Sequence, residues 1–275
     1  MNGFTGVMDV ALTREQAVSE EIVLIPPPYL SPSSMGTFNQ CPQKFKFNKI
    51  DMLPDSPTKE TLLGNFVHEV LEFFYAMPSE SRTKDVAKSL ASQVWLGSNW
   101  EERVKPFVPN PDEFRLFRWN AWWCIEHLWD IEDPTLTEPA GIETELNGEL
   151  AGVSLKGFID RYSINDETLT ISDYKTGKTP KKHYVDDKFL QLKIYATLSE
   201  AIGMPPTSSI ELLYLKDGVV FKAPLTDSDK YDVIKYVTST KARIDEACDT
   251  HEFPANRSIL CDWCSYRRVC PAWKK

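Results

Sequence analysis

Asp173 and Lys175 stand near the middle of the stretch TLTISDYKTGKTP, residues 168–180. With Leu169 and Ile171 they recur at spacing two, and alternate residues of a β-strand share a face. That face begins apolar and ends in a carboxylate and an ammonium, so it runs out of a core into a cleft. Burying either charge without a partner would be costly. A divalent cation would compensate Asp173, and Asp160, in GFIDR on the preceding strand, offers a second carboxylate. Two carboxylates beside a lysine can hold Mg²⁺ or Mn²⁺ and leave positions for water and phosphate oxygens. The Gly-Lys-Thr that follows is not a phosphate-binding loop, because the early glycine such a loop needs would stand where Ser172 does.

A second set of residues is sulfur-based. Cys261, Cys264 and Cys270 have the spacing C-x₂-C-x₅-C, and Cys41 lies far upstream in NQCPQKF. A C-x₂-C pair suits half a zinc site or a thiol redox pair, and four thiolates suit an iron–sulfur cluster. Spacing alone leaves zinc and cluster level. Cys124 and Cys248 lie in helical runs and read as small buried apolar residues.

The elements that must position these residues follow from periodicity. Residues 61–76, TLLGNFVHEVLEFFYA, put Leu63, Phe66, Val67, Val70, Leu71 and Phe74 on one stripe, which predicts an amphipathic helix with His68 and Glu72 together off the stripe. Residues 81–131 read as further helices. Trp119, Trp122, Trp123 and Trp129 could stack nucleobases there, but their helical spacing assigns them to a core. From residue 142 the period becomes two, and GVSLKGFIDRYSI and TLTISDYKT flank the turn NDE as a hairpin. A helix through QLKIY, two strands around KDG at 216–218 and a long helix from about 227 to 249 follow.

The net charge of −9, from 31 Lys and Arg against 40 Asp and Glu, argues against coating duplex DNA through a broad basic surface. Six lysines between Lys175 and Lys193 and the basic tail YRRVCPAWKK leave room for a local polyanion groove. No run of about 18 apolar residues predicts a membrane span, and the N-terminus lacks a basic start followed by an apolar stretch, so a cytoplasmic protein without membrane association is expected.

Singly, each feature has an ordinary structural reading: a hairpin with two aspartates, a packed histidine, Gln191 and Tyr195 on a helix surface. Their order along the chain carries more. GNFVHEVLE (64–72), GFIDR (157–161), DYKTGK (173–178) and QLKIY (191–195), flanked by NQCPQKF and CDWCSYRRVC, resemble the PD-(D/E)XK nuclease superfamily. The similarity is to its RecB-type branch with an iron–sulfur cluster, as in the nuclease domain of AddB and the CRISPR-associated adaptation exonucleases. It spans about residues 31–275.

The resemblance implies an α/β fold, a mixed sheet flanked by helices. It implies one nuclease domain over 30–275 after an extension at 1–29. That domain would have a helical section at about 77–131, a catalytic core at about 142–226 and a cysteine-rich segment at 253–275. It implies metal ligation by His68, Asp160, Asp173 and the carbonyl of Tyr174, with Lys175 orienting water and stabilising charge, and Gln191 and Tyr195 steadying the lysine or a phosphate. Glu143 is a further candidate that cannot be separated from Glu145. Cys41, Cys261, Cys264 and Cys270 would hold a [4Fe–4S] cluster. The implied activity is Mg²⁺- or Mn²⁺-dependent hydrolysis of single-stranded DNA or DNA ends in repair, recombination or CRISPR adaptation, with a helicase or adaptation protein as partner. A catalytically silent DNA-binding subunit and a zinc-stapled interaction module are the competing expectations.

Overall fold

The computed structural model describes residues 23–273. Most of the expected extension at 1–29 therefore lies outside the described residues. Ser31 caps α1 (Pro32–Gln40) through a capping box with Ser34, and α2 (Pro42–Phe45) runs into a π-turn at Lys46–Ile50. The predicted amphipathic helix is α3 (Lys59–Tyr75), capped by Thr58. Four more helices follow: α4 (Lys84–Gly97), α5 (Trp100–Val104), α6 (Pro111–Glu126) and α7 (Leu128–Ile131).

The sheet then forms from β1 (Gly141–Leu150), β2 (Val153–Asn165), β3 (Thr168–Lys175), β4 (Thr207–Tyr214) and β5 (Val219–Ala223), in that order. Only β3 and β4 are parallel; their crossover carries α8 (Leu190–Ala201). The long α9 (Asp227–Thr250) closes the core. The predicted hairpin is β2–β3. Asp166 and Glu167 both take positive φ in its two-residue turn, which matches the right-handed twist of the strands.

Strand alternation sends side chains into two cores. Leu169 and Ile171 of β3 and Ile210 and Leu212 of β4 pack against α1, α8 and α9. Tyr174 and Leu213 enter the other core, built with α3 and the helices after it. Fully burying each large apolar side chain contributes about 1.5–3 kcal/mol. The strand that bears the site is thus clamped from both faces.

The tryptophans bear out the expectation in part: Trp122 and Trp129 are partly buried against the helical core. Trp95 and Trp100 are buried, but Trp119 and Trp123 of α6 are 56% and 47% exposed. The buried stripe of α6 consists instead of Phe117, Ala121, Cys124 and Ile125. At about 100° per residue, Trp119 and Trp123 lie well round from that stripe, and Trp122 borders it. Among the described residues, no helix is long and apolar enough to cross a membrane.

Candidate active site

The site is built where strand pairing stops. β2 and β3 pair as far as the rung Arg161–Ser172, so Asp160 and Asp173 face each other just beyond it. On the other side of β2 the rungs Ile142–Arg161 and Thr144–Ile159 flank Glu143, whose φ is 42°. A left-handed backbone costs a residue other than glycine about 1–3 kcal/mol, and strain of this kind collects at functional sites.

Beyond the last rung the backbone of Tyr174 is taken by side chains. Its N–H donates to Asp160 Oδ2 at 2.7 Å, and its carbonyl accepts from His68 Nε2 at 3.0 Å. His68 Nδ1 then faces Asp160 Oδ2 at 3.6 Å and Glu143 Oε1 at 3.7 Å. On the opposite face of β3, Lys175 Nζ lies 2.6 Å from Asp173 Oδ2 and donates to Gln191 Oε1 at 3.3 Å. Gln191 Nε2 in turn donates to the Tyr195 hydroxyl at 3.5 Å. Asp173 is 4% exposed, and its Oδ2 has the charge of Lys175 beside it but no donor at hydrogen-bonding angle.

Two glycines of the quoted motifs lie at close approaches, and the one at 157 is needed there. A Cβ on Gly157 would meet the Tyr195 ring at 2.4 Å, so the ring can lie over β2 only with glycine there. A Cβ on Gly64 would stand 3.2 Å from Thr176 Oγ1, where α3 passes the end of β3.

Burial opposes charge on His68, but Glu143, Asp160 and Asp173 outweigh it and raise its pKa to about 9. Burial and the charge of Asp173 push Asp160 up to about 7 against the pull of His68. Burial likewise opposes the charge of Lys175, and Asp173 and Asp160 overcome it, so its pKa is raised and it stays an ammonium. Burial raises the Tyr195 hydroxyl, which stays a phenol.

Every residue expected at the site from the hairpin, α3 and α8 is therefore gathered in one chain of contacts. The structure also separates the two glutamates: Glu143 reaches His68, whereas Glu145 pairs with Lys156 at 3.0 Å. The supporting network behind β3 carries no sequence signal. Arg161, 2% exposed, is forked onto Glu132, with Nη2 donating to Oε2 at 2.8 Å, and lies over the rings of Tyr75 and Tyr174. Tyr75 donates to the same Glu132. Glu132 lies just past α7, outside any periodic run.

The thiols converge as well. Cys41, Cys261, Cys264 and Cys270 line one cavity of about 30 Å³ and all are free. Gln43 N–H donates to the Pro254 carbonyl, Asn256 to the Gln40 carbonyl, and Asn48 to the Tyr266 hydroxyl, tying the region around α2 to the segment after α9.

The family model of the PD-(D/E)XK nuclease superfamily matches residues 29–271. The chain belongs to that superfamily. It is 26% identical over 286 residues to the gene 69 protein of Mycobacterium phage D29, covering 90% of this chain and 98% of that one. To the gene 69 protein of Mycobacterium phage L5 it is 25% identical over 302 residues, covering 90% and 97%. A crystal structure of a candidate exonuclease from Eubacterium rectale shares the fold over 90% of both chains, with a TM-score of 0.57 at 17% identity.

PD-(D/E)XK nucleases use a divalent metal, and the donors of this chain fit one. Ligand atoms of His68, Glu143 and Asp160 lie within 4.8 Å of one another. The buried Asp173 Oδ2 lacks a directed donor. One imidazole with carboxylate oxygens suits Mg²⁺ or Mn²⁺.

Proposed function

We propose that this PD-(D/E)XK protein is a Mg²⁺- or Mn²⁺-dependent deoxyribonuclease that hydrolyses phosphodiesters from free ends of single-stranded DNA. One observation carries the reading: Asp160 and Asp173 meet beyond the last rung of the hairpin, with His68 on one side and an ammonium on the other. His68, Glu143, Asp160, Asp173 and the Tyr174 carbonyl would hold the metal. When bound, the cation supplies Lewis acidity at a phosphate oxygen. Lys175 is ion-paired with Asp173 and donates to Gln191, and its remaining donors can take an attacking water or the charge that develops on the phosphoryl group. Gln191 and Tyr195 fix the lysine's direction.

Polarity of charge favours a single strand. Lys178, Lys181, Lys182 and Lys188 are exposed in the segment between β3 and α8, next to the site, while the whole protein is acidic. A short cationic track of this kind suits one flexible backbone better than the broad face of a duplex.

The four convergent cysteines support membership of the RecB-type branch and a [4Fe–4S] cluster. Four free cysteine thiols around one cavity suit an iron–sulfur cluster. In this reading residues 30–275 work as one cytoplasmic nuclease domain, in repair, recombination or CRISPR adaptation beside a motor or adaptation partner.

The test is digestion of end-labelled linear and of circular single-stranded DNA with Mg²⁺ or Mn²⁺. Degradation of the linear strand with survival of the circle supports the reading. Inertness of linear DNA under all metal conditions overturns it.

A further inference from the structure

A groove in the helical section has no part in the site just described. Its volume is about 470 Å³, and it runs between α4 and α6. Trp119 and Trp122 supply aromatic faces to it, whereas Trp95, which also lines it, is itself buried. Lys88, Arg115 and Arg118 supply cations, opposed by Glu126 as the one carboxylate of its lining. In a protein of net charge −9 this is a local reversal of sign. Among the described residues, Arg115 alone of the three cations is paired, with the exposed Asp112 one turn back.

The cations and rings are interleaved rather than segregated. The Arg118 guanidinium lies 5.2 Å from the centroid of the Trp95 ring, and the Lys88 ammonium 5.9 Å from that of Trp122. Trp119 is 56% exposed, which leaves its indole face open to a ligand. Flat apolar faces alternating with cations match one class of ligand closely, a single nucleic-acid strand, whose bases stack and whose phosphates take the cations. A peptide partner would want a more continuous apolar surface, and a duplex would hide its base faces.

We infer that the groove between α4 and α6 is a second binding site for single-stranded DNA, remote from the reacting phosphodiester. The inference rests on the nuclease reading for the choice of DNA. Phe66, at the groove, and His68, at the carboxylates, both belong to α3 and are two residues apart, about 200° round the helix. Groove and active site thus lie on opposite sides of one helix, about 10–12 Å thick. A strand engaging both must be several nucleotides long. The groove acts as a holding site that keeps the strand on the enzyme while its end is processed.

The experiment measures anisotropy of labelled oligothymidylates of increasing length in EDTA, with wild type, Trp119→Ala and Arg118→Glu. Both side chains are exposed, and circular dichroism checks the fold. The hydrolysis of thymidine 5′-(p-nitrophenyl phosphate), too small to span both sites, is followed with metal. We expect wild-type affinity to rise with length and Trp119→Ala to lose about 5- to 150-fold on long strands, the range of one lost base stack. Arg118→Glu should flatten the salt dependence. Hydrolysis of the small ester should be unchanged. Wild-type affinity of both variants for long strands would overturn the inference, as would displacement of the strand by thymidine monophosphate at equal concentration. Loss of strand binding in variants of a protein that cleaves no DNA would leave the groove standing and remove the nuclease reading; full cleavage with intact binding in the variants would do the reverse.

Discussion

Lys175 is held as an ammonium by Asp173 and Asp160 against the pull of burial, which makes it a donor and not a base. Its loss should act on the chemical step. Lys175→Ala is expected to lower kcat about 10²–10³-fold with little change in KM, read by steady-state cleavage. The titration of its neighbours gives a second outcome. Asp160 is raised from 3.8 to about 7 and His68 from 6.5 to about 9, so the folded, metal-stripped protein binds more protons than the unfolded chain over that range. The stability these protonated groups contribute is present at low pH and is lost as pH rises through about 7 and then about 9. A metal must displace the same protons. The rise in Tm on adding Mn²⁺ should therefore grow between pH 6 and pH 9. A rise of equal size at both ends of that range would contradict the assignment of these ligands.

At the scale of elements, β3 depends on a charge network that contributes nothing to the chemistry. Arg161 is buried against Tyr75 and Tyr174, with both its Nη atoms paired to Glu132. Glu132→Ala would leave that guanidinium uncompensated, at a cost of about 3–5 kcal/mol in denaturant unfolding. The same elements show how far the sequence could be read. The hairpin, α3 and α9 were legible because a period of 2 or 3.6 survives wherever one face is buried. His68, Asp160, Asp173 and Lys175 were legible as polar residues placed where such a period ends. Glu132 was not, because it lies outside any repeat and meets Arg161 only through the fold. Glu143 could not be told from Glu145, since the choice depends on a left-handed residue that breaks the alternation of β1. Trp119 and Trp123 misled because large residues at helical spacing mimic a core stripe, while Phe117, Ala121, Cys124 and Ile125 make the real one.

At the scale of the molecule, the chain is closed on itself by contacts between the segment after α1 and the C-terminal segment, with four thiols at the seam. Joining residues so far apart restricts the unfolded ensemble strongly, and ligation adds to folding directly. Protein prepared without oxygen should be yellow-brown and contain iron. Alanine at Cys41, Cys261, Cys264 or Cys270 should bleach it and lower Tm, whereas Cys124→Ala should keep the colour. Stoichiometric zinc without iron would overturn the cluster. The nuclease itself is tested most directly by single-turnover cleavage of an end-labelled single strand across a Mn²⁺ titration, using wild type and the isosteric Asp173→Asn. The wild-type rate should rise from zero and saturate with metal, while folded Asp173→Asn shows no cleavage at any concentration. Cleavage by metal-stripped wild type, or wild-type rates from Asp173→Asn, would contradict a metal-dependent nuclease built on the β2–β3 hairpin.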